Sequence, residues 1–152
     1  DKRGSKNLHF FDSFEGLPPV KEIDGEKAKQ WQSNPEGEYY HNNCKAAFEE
    51  ANQAMQWSGA KNYRIYKGWF KETFELYEPA PIALLRLDAD WYDATLLCLE
   101  QLFEYVVPNG LIIIDDYYTW DGCAIAVHEF LSKRKSTARI YSYENAVCYI
   151  KK

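Results

Sequence analysis

Ile82-Ala83-Leu84-Leu85-Arg86-Leu87-Asp88-Ala89-Asp90 and Leu111-Ile112-Ile113-Ile114-Asp115-Asp116 are the stretches that decide the fold of this chain. Each runs apolar and stops abruptly on carboxylates. A continuous apolar run bounded by turn signals reads as a strand buried on both faces, in a parallel sheet with helices above and below. The carboxylates therefore fall at the carboxyl ends of strands, and in open α/β sheets that edge is where ligands bind. Two such strands side by side bring Asp88, Asp115 and Asp116 together, with Asp90 just beyond. Between them, Thr95 to Val107 places Leu96, Leu99, Leu102, Phe103 and Val106 on one helical stripe closed by Pro108-Asn109-Gly110. That makes it the crossover helix of a βαβ unit.

Carboxylates at close range raise one another's pKa, so the pattern calls for a positive charge. A hard divalent cation meets the need: Mg²⁺ is held by a few carboxylates and keeps positions open for water or substrate oxygens. The plainer alternative is that Asp90 and Asp93 cap the next helix while Asp115 and Asp116 turn the chain. Asp93 fits that alternative, because Asp93-Ala94-Thr95 precedes the apolar-periodic run. For the other three the metal reading is preferred, given the edge they occupy.

At 152 residues, 46% hydrophobic and 16% aromatic, one domain with a packed core is expected. A net charge of −5 and a pI near 5.2 argue against a nucleic-acid-binding surface. Lys133-Arg134-Lys135 is the only basic cluster, and at a helix end it complements the dipole. Cys44, Cys98, Cys123 and Cys148 are widely spread, without a Cys-x-x-Cys pair, and read as reduced and mostly buried. No stretch is long and apolar enough to span a bilayer, and Asp1-Lys2-Arg3-Gly4-Ser5 lacks the apolar core of a secretory signal. A cytoplasmic protein with no membrane partner is the expectation.

Leu8-His9-Phe10-Phe11 reads as a short strand ending at Asp12, before a break set by Gly16, Pro18 and Pro19. Val20 to Asn42 is polar, ends in Tyr39-Tyr40-His41, and reads as a long connection over the active-site edge with one short helix around Glu26 to Gln32. Asn43 to Ser58 carries Cys44, Phe48, Ala51 and Met55 at helical spacing, stopped by Gly59, and is expected to cover the sheet. Asn62 to Tyr66 reads as a strand, followed by the loop Lys67-Gly68-Trp69-Phe70. A helix from about Cys123 to Lys135 precedes a terminal hairpin, Thr137 to Tyr143 and Ala146 to Lys151 around Glu144-Asn145.

Several of these segments, in order, resemble one family. Phe11-Asp12-Ser13-Phe14-Glu15-Gly16-Leu17-Pro18, Lys67-Gly68-Trp69-Phe70 with Thr73-Phe74, Leu85 to Thr95, Asp115-Asp116-Tyr117 and Ala126-Val127 look like the macrocin O-methyltransferase type. That resemblance covers essentially the whole chain. It implies a three-layer Rossmann-like class I methyltransferase sheet, mostly parallel, with a C-terminal antiparallel hairpin. It also implies an S-adenosylmethionine-dependent, Mg²⁺-dependent enzyme that methylates a hydroxyl of a sugar or natural-product small molecule. The 27 residues from Asp88 to Asp115 also suit the wider metal-dependent class that includes catechol O-methyltransferase. By resemblance, Asp88, Asp115 and Asp116 are metal ligands and Asp12 contacts the cofactor ribose. Ser13 and Phe14 stand beside that contact, and Gly68, Trp69 and Phe70 near the adenine. Methyltransferases of this fold carry a Gly-rich strand-to-helix turn before the ribose-binding strand, whereas only Asp1 to Asn7 precedes Leu8, so the first β-α unit is expected to be missing. Closure of the sheet then falls to direct pairing or to a second copy of the chain.

A bound Mg²⁺ lowers the pKa of the acceptor hydroxyl, and a carboxylate takes the proton, with Asp88 or Asp90 nearest. His41 is an alternative base, though a solvated loop histidine is its plainer reading; Tyr39, His41 and Tyr117 are the candidate acceptor contacts. Three other classes stay open: an Mg²⁺-dependent phosphohydrolase built on Asp88-Ala89-Asp90, a nucleotide-sugar glycosyltransferase with an Asp-x-Asp metal motif, which the βαβ context weakens, and a non-catalytic methyltransferase-like domain acting as a binding or assembly module.

Overall fold

The computed structural model describes residues 6–78, 80–144 and 147–152. β1 (Leu8–Asp12) leads into a connection holding α1 (Glu26–Gln32), then α2 (Phe48–Ser58) and β2 (Tyr63–Lys67). A short α3 (Phe70–Thr73) precedes β3 (Ile82–Leu87), α4 (Tyr92–Leu102), β4 (Val106–Ile114), α5 (Asp121–Lys133), β5 (Ile140–Tyr143) and β6 (Val147–Lys151). Asn145 and Ala146 of the expected hairpin turn, and Asp1 to Ser5, lie outside the described residues.

The two acid-tipped runs are adjacent parallel strands, with Leu84 opposite Leu111 and Leu87 opposite Ile114. β6 runs antiparallel to β4, and β5 to β6, which completes a four-stranded sheet in the order β3-β4-β6-β5. β1 and β2 pair in parallel as a separate two-stranded sheet, Phe11 opposite Tyr66. The α/β class, the parallel βαβ unit and the antiparallel end are as expected. The gap between the two sheets is not closed by strand pairing among the described residues. Side chains bridge it instead: Tyr66, Tyr77 and Leu102 pack with Phe11, Phe74, Ile82 and Leu85, Phe11 stacking on Tyr66 at 4.4 Å.

The main core lies on one face of the larger sheet. Leu87, Ile112, Ile114, Cys148 and Ile150 pack against Cys98 and Leu99 of α4 and Cys123, Val127 and Phe130 of α5. Burial of each large aliphatic chain there contributes about 1.5–3 kcal/mol. The opposite face is largely open. Leu84 is 58% exposed, Leu111, Tyr141 and Tyr143 are also exposed, and Ile113 and Tyr149 are half-buried. Cross-strand partners share a face, so among the described residues helices cover the apolar runs on one side only, not above and below as expected.

Element boundaries shift for local reasons. Pro108-Asn109-Gly110 does not stop the crossover helix but lies inside β4, which starts early because Val106 is buried opposite Ile82. Asn109, at φ 66°, donates its N–H to the Lys152 carbonyl at 2.6 Å. α2 begins at Phe48 rather than Asn43, and none of its residues is fully buried. His41 to Cys44 forms a left-handed turn instead, all four residues at positive φ. The turn is held by the Leu17 N–H on the Asn43 carbonyl (3.1 Å) and the Asn43 Nδ2 on the Leu17 carbonyl (2.8 Å). No helix among the described residues is long and apolar enough to cross a membrane.

Candidate active site

β3 and β4 end level with each other, since the Asp115 N–H donates to the Leu87 carbonyl at 2.9 Å. Asp115 and Asp116 lie in the turn that follows β4, and their side chains diverge. Asp115 turns to Arg86, whose Nη2 lies 2.7 Å from its Oδ2. Asp116 instead clasps the turn after β3, its Oδ2 accepting the N–H groups of Ala89 (3.1 Å) and Asp90 (3.0 Å). Asp90 takes a left-handed φ of 54°, a conformation that costs a non-glycine residue about 1–3 kcal/mol and persists only where the surroundings impose it. The Asp116 clasp and the Trp120 indole N–H, 3.0 Å from Asp90 Oδ1, impose it here.

One carboxylate oxygen each of Asp88, Asp90 and Asp116 therefore lies within 4.8 Å of the others. Asp88 and Asp116 were paired by the sequence; the third member by geometry is Asp90, with Asp115 on the far side beside Arg86. Arg86 also reaches Asp88, Nη1 to Oδ2 at 3.0 Å. Burial, then the charge of Asp116, pushes Asp90 up to about 7, against the pull of the Trp120 N–H. Burial likewise pushes Asp116 up to about 6, with Asp88 and Asp115 adding to the shift. Three hard oxygen donors at this range are a fitting donor set for Mg²⁺.

The other candidates lie at the end of β1, in the connection after it, and in the segments after β2 and β4. Asp12 is exposed at the end of β1 and accepts the Phe14 N–H on Oδ1 at 2.6 Å. Phe14 is buried at φ 58°, edge-on to Phe48 at 5.2 Å, and the Ser13 hydroxyl donates to the Gly16 carbonyl. The Gly68 N–H donates to the Asp12 carbonyl at 2.9 Å, so the two cofactor candidate loops touch through their backbones. Trp69 is exposed, whereas Phe70 packs on the core and stacks on Phe74 at 5.6 Å. Tyr39 is 72% exposed. His41 opens the left-handed turn whose last residue, Cys44, has its thiol raised by burial and then by the charge of Asp90. The Tyr117 hydroxyl is 2.9 Å from His128 Nε2, tying it to α5.

Three residues of the site escaped the sequence reading. Trp120 carried no local signal, because nothing in its neighbourhood announces a contact 30 positions away. Asp24 is 2% exposed and accepts the Tyr92 N–H at 2.8 Å, so it caps α4 from the long connection. Asp93, expected as that cap, lies within the first turn and pairs with Lys21. Arg86 was legible in principle: two residues before Asp88 on a strand, it must share the face of Asp88.

The family model for macrocin-O-methyltransferase (TylF) matches residues 2–152. The chain is 33% identical over 129 residues to the 8-demethyl-8-(2,3-dimethoxy-alpha-L-rhamnosyl)-tetracenomycin-C 4'-O-methyltransferase of Streptomyces olivaceus, covering 83% of this chain and 47% of that one. It is 28% identical over 138 residues to the mycinamicin III 3''-O-methyltransferase of Micromonospora griseorubida, covering 91% and 54%. The chain thus spans about half the length of these curated relatives. Among solved structures, the O-methyltransferase NovP superposes with a TM-score of 0.79 at 26% identity, covering 96% of this chain and 60% of that one. The calicheamicin methyltransferase CalS11 gives 0.70 at 21% identity over the same shares, a likeness of fold alone. By the match along nearly its whole length, the chain belongs to the macrocin-O-methyltransferase family.

Proposed function

We propose that this chain carries the acidic rim of an S-adenosylmethionine-dependent, divalent-metal-dependent O-methyltransferase acting on a hydroxyl of a sugar or natural-product small molecule. The observation that carries the reading is the convergence of Asp88, Asp90 and Asp116 at the carboxyl ends of β3 and β4 in a chain of this family. The family match favours it over the phosphohydrolase. The names of the relatives, which methylate rhamnosyl and other natural-product hydroxyls, favour a small-molecule acceptor of that class. A cytoplasmic biosynthetic setting is part of the same reading.

When bound, Mg²⁺ supplies the charge that acidifies a hydroxyl, and S-adenosylmethionine supplies the methyl group on its sulfonium. Asp88 and Asp116 are the residues that would hold the cation, with Asp115 beside them once it leaves Arg86. Asp90 is the proton acceptor: a carboxylate with its pKa near the working pH combines the ionised form with basicity enough to take the proton. Trp120 orients it. Asp12 spends one oxygen on the Phe14 N–H, which leaves the other for ribose hydroxyls. The ordered connection from Leu17 to Cys44 covers this edge, with Trp31 edge-on to Trp91 and Trp120, and excludes water from one side of the rim.

Isothermal titration with S-adenosylhomocysteine, with and without Mg²⁺, tests the reading. Binding that strengthens with Mg²⁺ supports it. A folded protein that binds neither supports the non-catalytic module instead.

A further inference from the structure

We infer that Arg86 is a built-in counter-ion of the acid rim, which competes with the divalent cation and so sets its affinity. This rests on the cation reading above. Arg86 stands two residues before Asp88 on the open face of β3, and its guanidinium spans the ends of both strands. Nη1 is 3.0 Å from Asp88 Oδ2, and Nη2 is 2.7 Å from Asp115 Oδ2. It thus engages one oxygen each of Asp88 and Asp115, two carboxylates that the resemblance assigns to the cation.

A staple joining β3 to β4 is the competing account, and the geometry gives it little to do. The strands are already joined by their backbone ladder and by the Asp115 N–H on the Leu87 carbonyl. The Arg86 side chain is 53% exposed, and its partners are 54% and 42% exposed. Ion pairs that wet contribute about 0–1 kcal/mol to stability. A cation in the rim, by contrast, would meet a positive charge that already holds Asp88. It must share Asp88 with that charge and draw Asp115 from it. The long, exposed side chain is free to swing out when that happens. With no cation bound, Arg86 keeps the rim from being a cluster of uncompensated charge; with one bound, its presence weakens the grip.

The test is calorimetric titration of the whole chain with MgCl₂ alone, comparing wild type with Arg86→Gln, Arg86→Met and Arg86→Lys. Removal of the charge is expected to tighten Mg²⁺ binding about tenfold, the effect of one unit charge on a divalent ion at this range in a largely aqueous medium. Arg86→Lys, which keeps the charge, should stay within about threefold of wild type. The melting midpoint of the neutral variants should fall in chelator and recover in Mg²⁺. Two neutral variants guard against one failing to fold, and a circular dichroism spectrum matching wild type qualifies either. Unchanged or weaker Mg²⁺ binding in a folded neutral variant, with wild type binding normally, overturns the role of Arg86 alone. No binding by wild type or variants overturns the cation reading and this inference together.

Discussion

Trp120 donates its indole N–H to Asp90 Oδ1 at 3.0 Å, and does so from the N-cap position of α5. The bond favours the ionised carboxylate in a position where burial and Asp116 oppose it. With Asp90 in its proposed role as base, which it fills only when ionised, the proposed methyl transfer should rise with pH through an acid limb at or below about 7, a bound cation drawing it lower. Trp120→Phe keeps the ring and removes the donor. The limb is expected to move up by about one pH unit, read from the pH dependence of kcat. A profile that stays in place would remove Trp120 from the positioning of the base.

Asp90→Asn separates chemistry from stability. Without its proton acceptor the protein should lose methyl transfer by about 10²–10⁴-fold. In the unfolded chain Asp90 titrates near about 4, and in the folded chain at about 7. The folded state thus prefers the protonated form, so in chelator the contribution of Asp90 to stability is fully present below about pH 4 and is lost as pH rises through about 7. Asn carries no charge and still accepts the Trp120 N–H. At pH 8 in chelator, Asp90→Asn should be more stable than wild type by about 1–3 kcal/mol in urea denaturation; a loss of stability there would falsify the burial argument.

Asp24 caps α4 through the Tyr92 N–H and closes its own turn through the Lys21 N–H, both at 2.8 Å. Asp24→Ala leaves two N–H groups without acceptors, at a cost of about 2–4 kcal/mol. Because Asp24 also anchors the connection, the loss should appear as faster amide exchange across residues 17–43. Uniform exchange changes over the whole chain would mean that the anchor is not local.

Gly122→Ala reverses a general rule. In an exposed helix the change is favourable by about 1 kcal/mol, but here a Cβ would sit 2.4 Å from Asp24 Oδ1 and 2.8 Å from Asp24 Cα. Backbone cannot yield as a side chain can, so a lower melting temperature is expected, together with the exchange pattern of Asp24→Ala. A more stable variant would show that α5 shifts away from Asp24 at little cost.

Much of the molecule was legible in its residues. The acid-tipped apolar runs, the crossover helix between them and the alternating hairpin near the end fall where periodicity put them, because patterns of two and of 3.6 residues follow from local backbone geometry. That Asp88 and Asp116 meet was legible, since strand ends meet at one edge of a parallel sheet; that Asp90 rather than Asp115 completes the cluster was not. Harder to read were the boundaries at Pro108-Asn109-Gly110 and at Asn43, where long-range pairing and the left-handed turn outweighed local signals.

By itself, the sequence determined which residues reach the rim; the tertiary structure alone decided which of them face each other. Asp115 and Asp116 are chemically identical neighbours, yet one meets Arg86 and the other clasps the backbone of Asp90. The same holds for the sheet: continuous apolar runs are alike whether helices cover both faces or one, and only packing leaves Leu84 and Leu111 exposed while Ile112 and Ile114 are sealed. Composition and spacing are properties of the chain near a residue, whereas orientation, charge pairing and burial belong to partners that folding brings from 30 or 68 positions away, as with Trp120 on Asp90 and Asp24 on Tyr92.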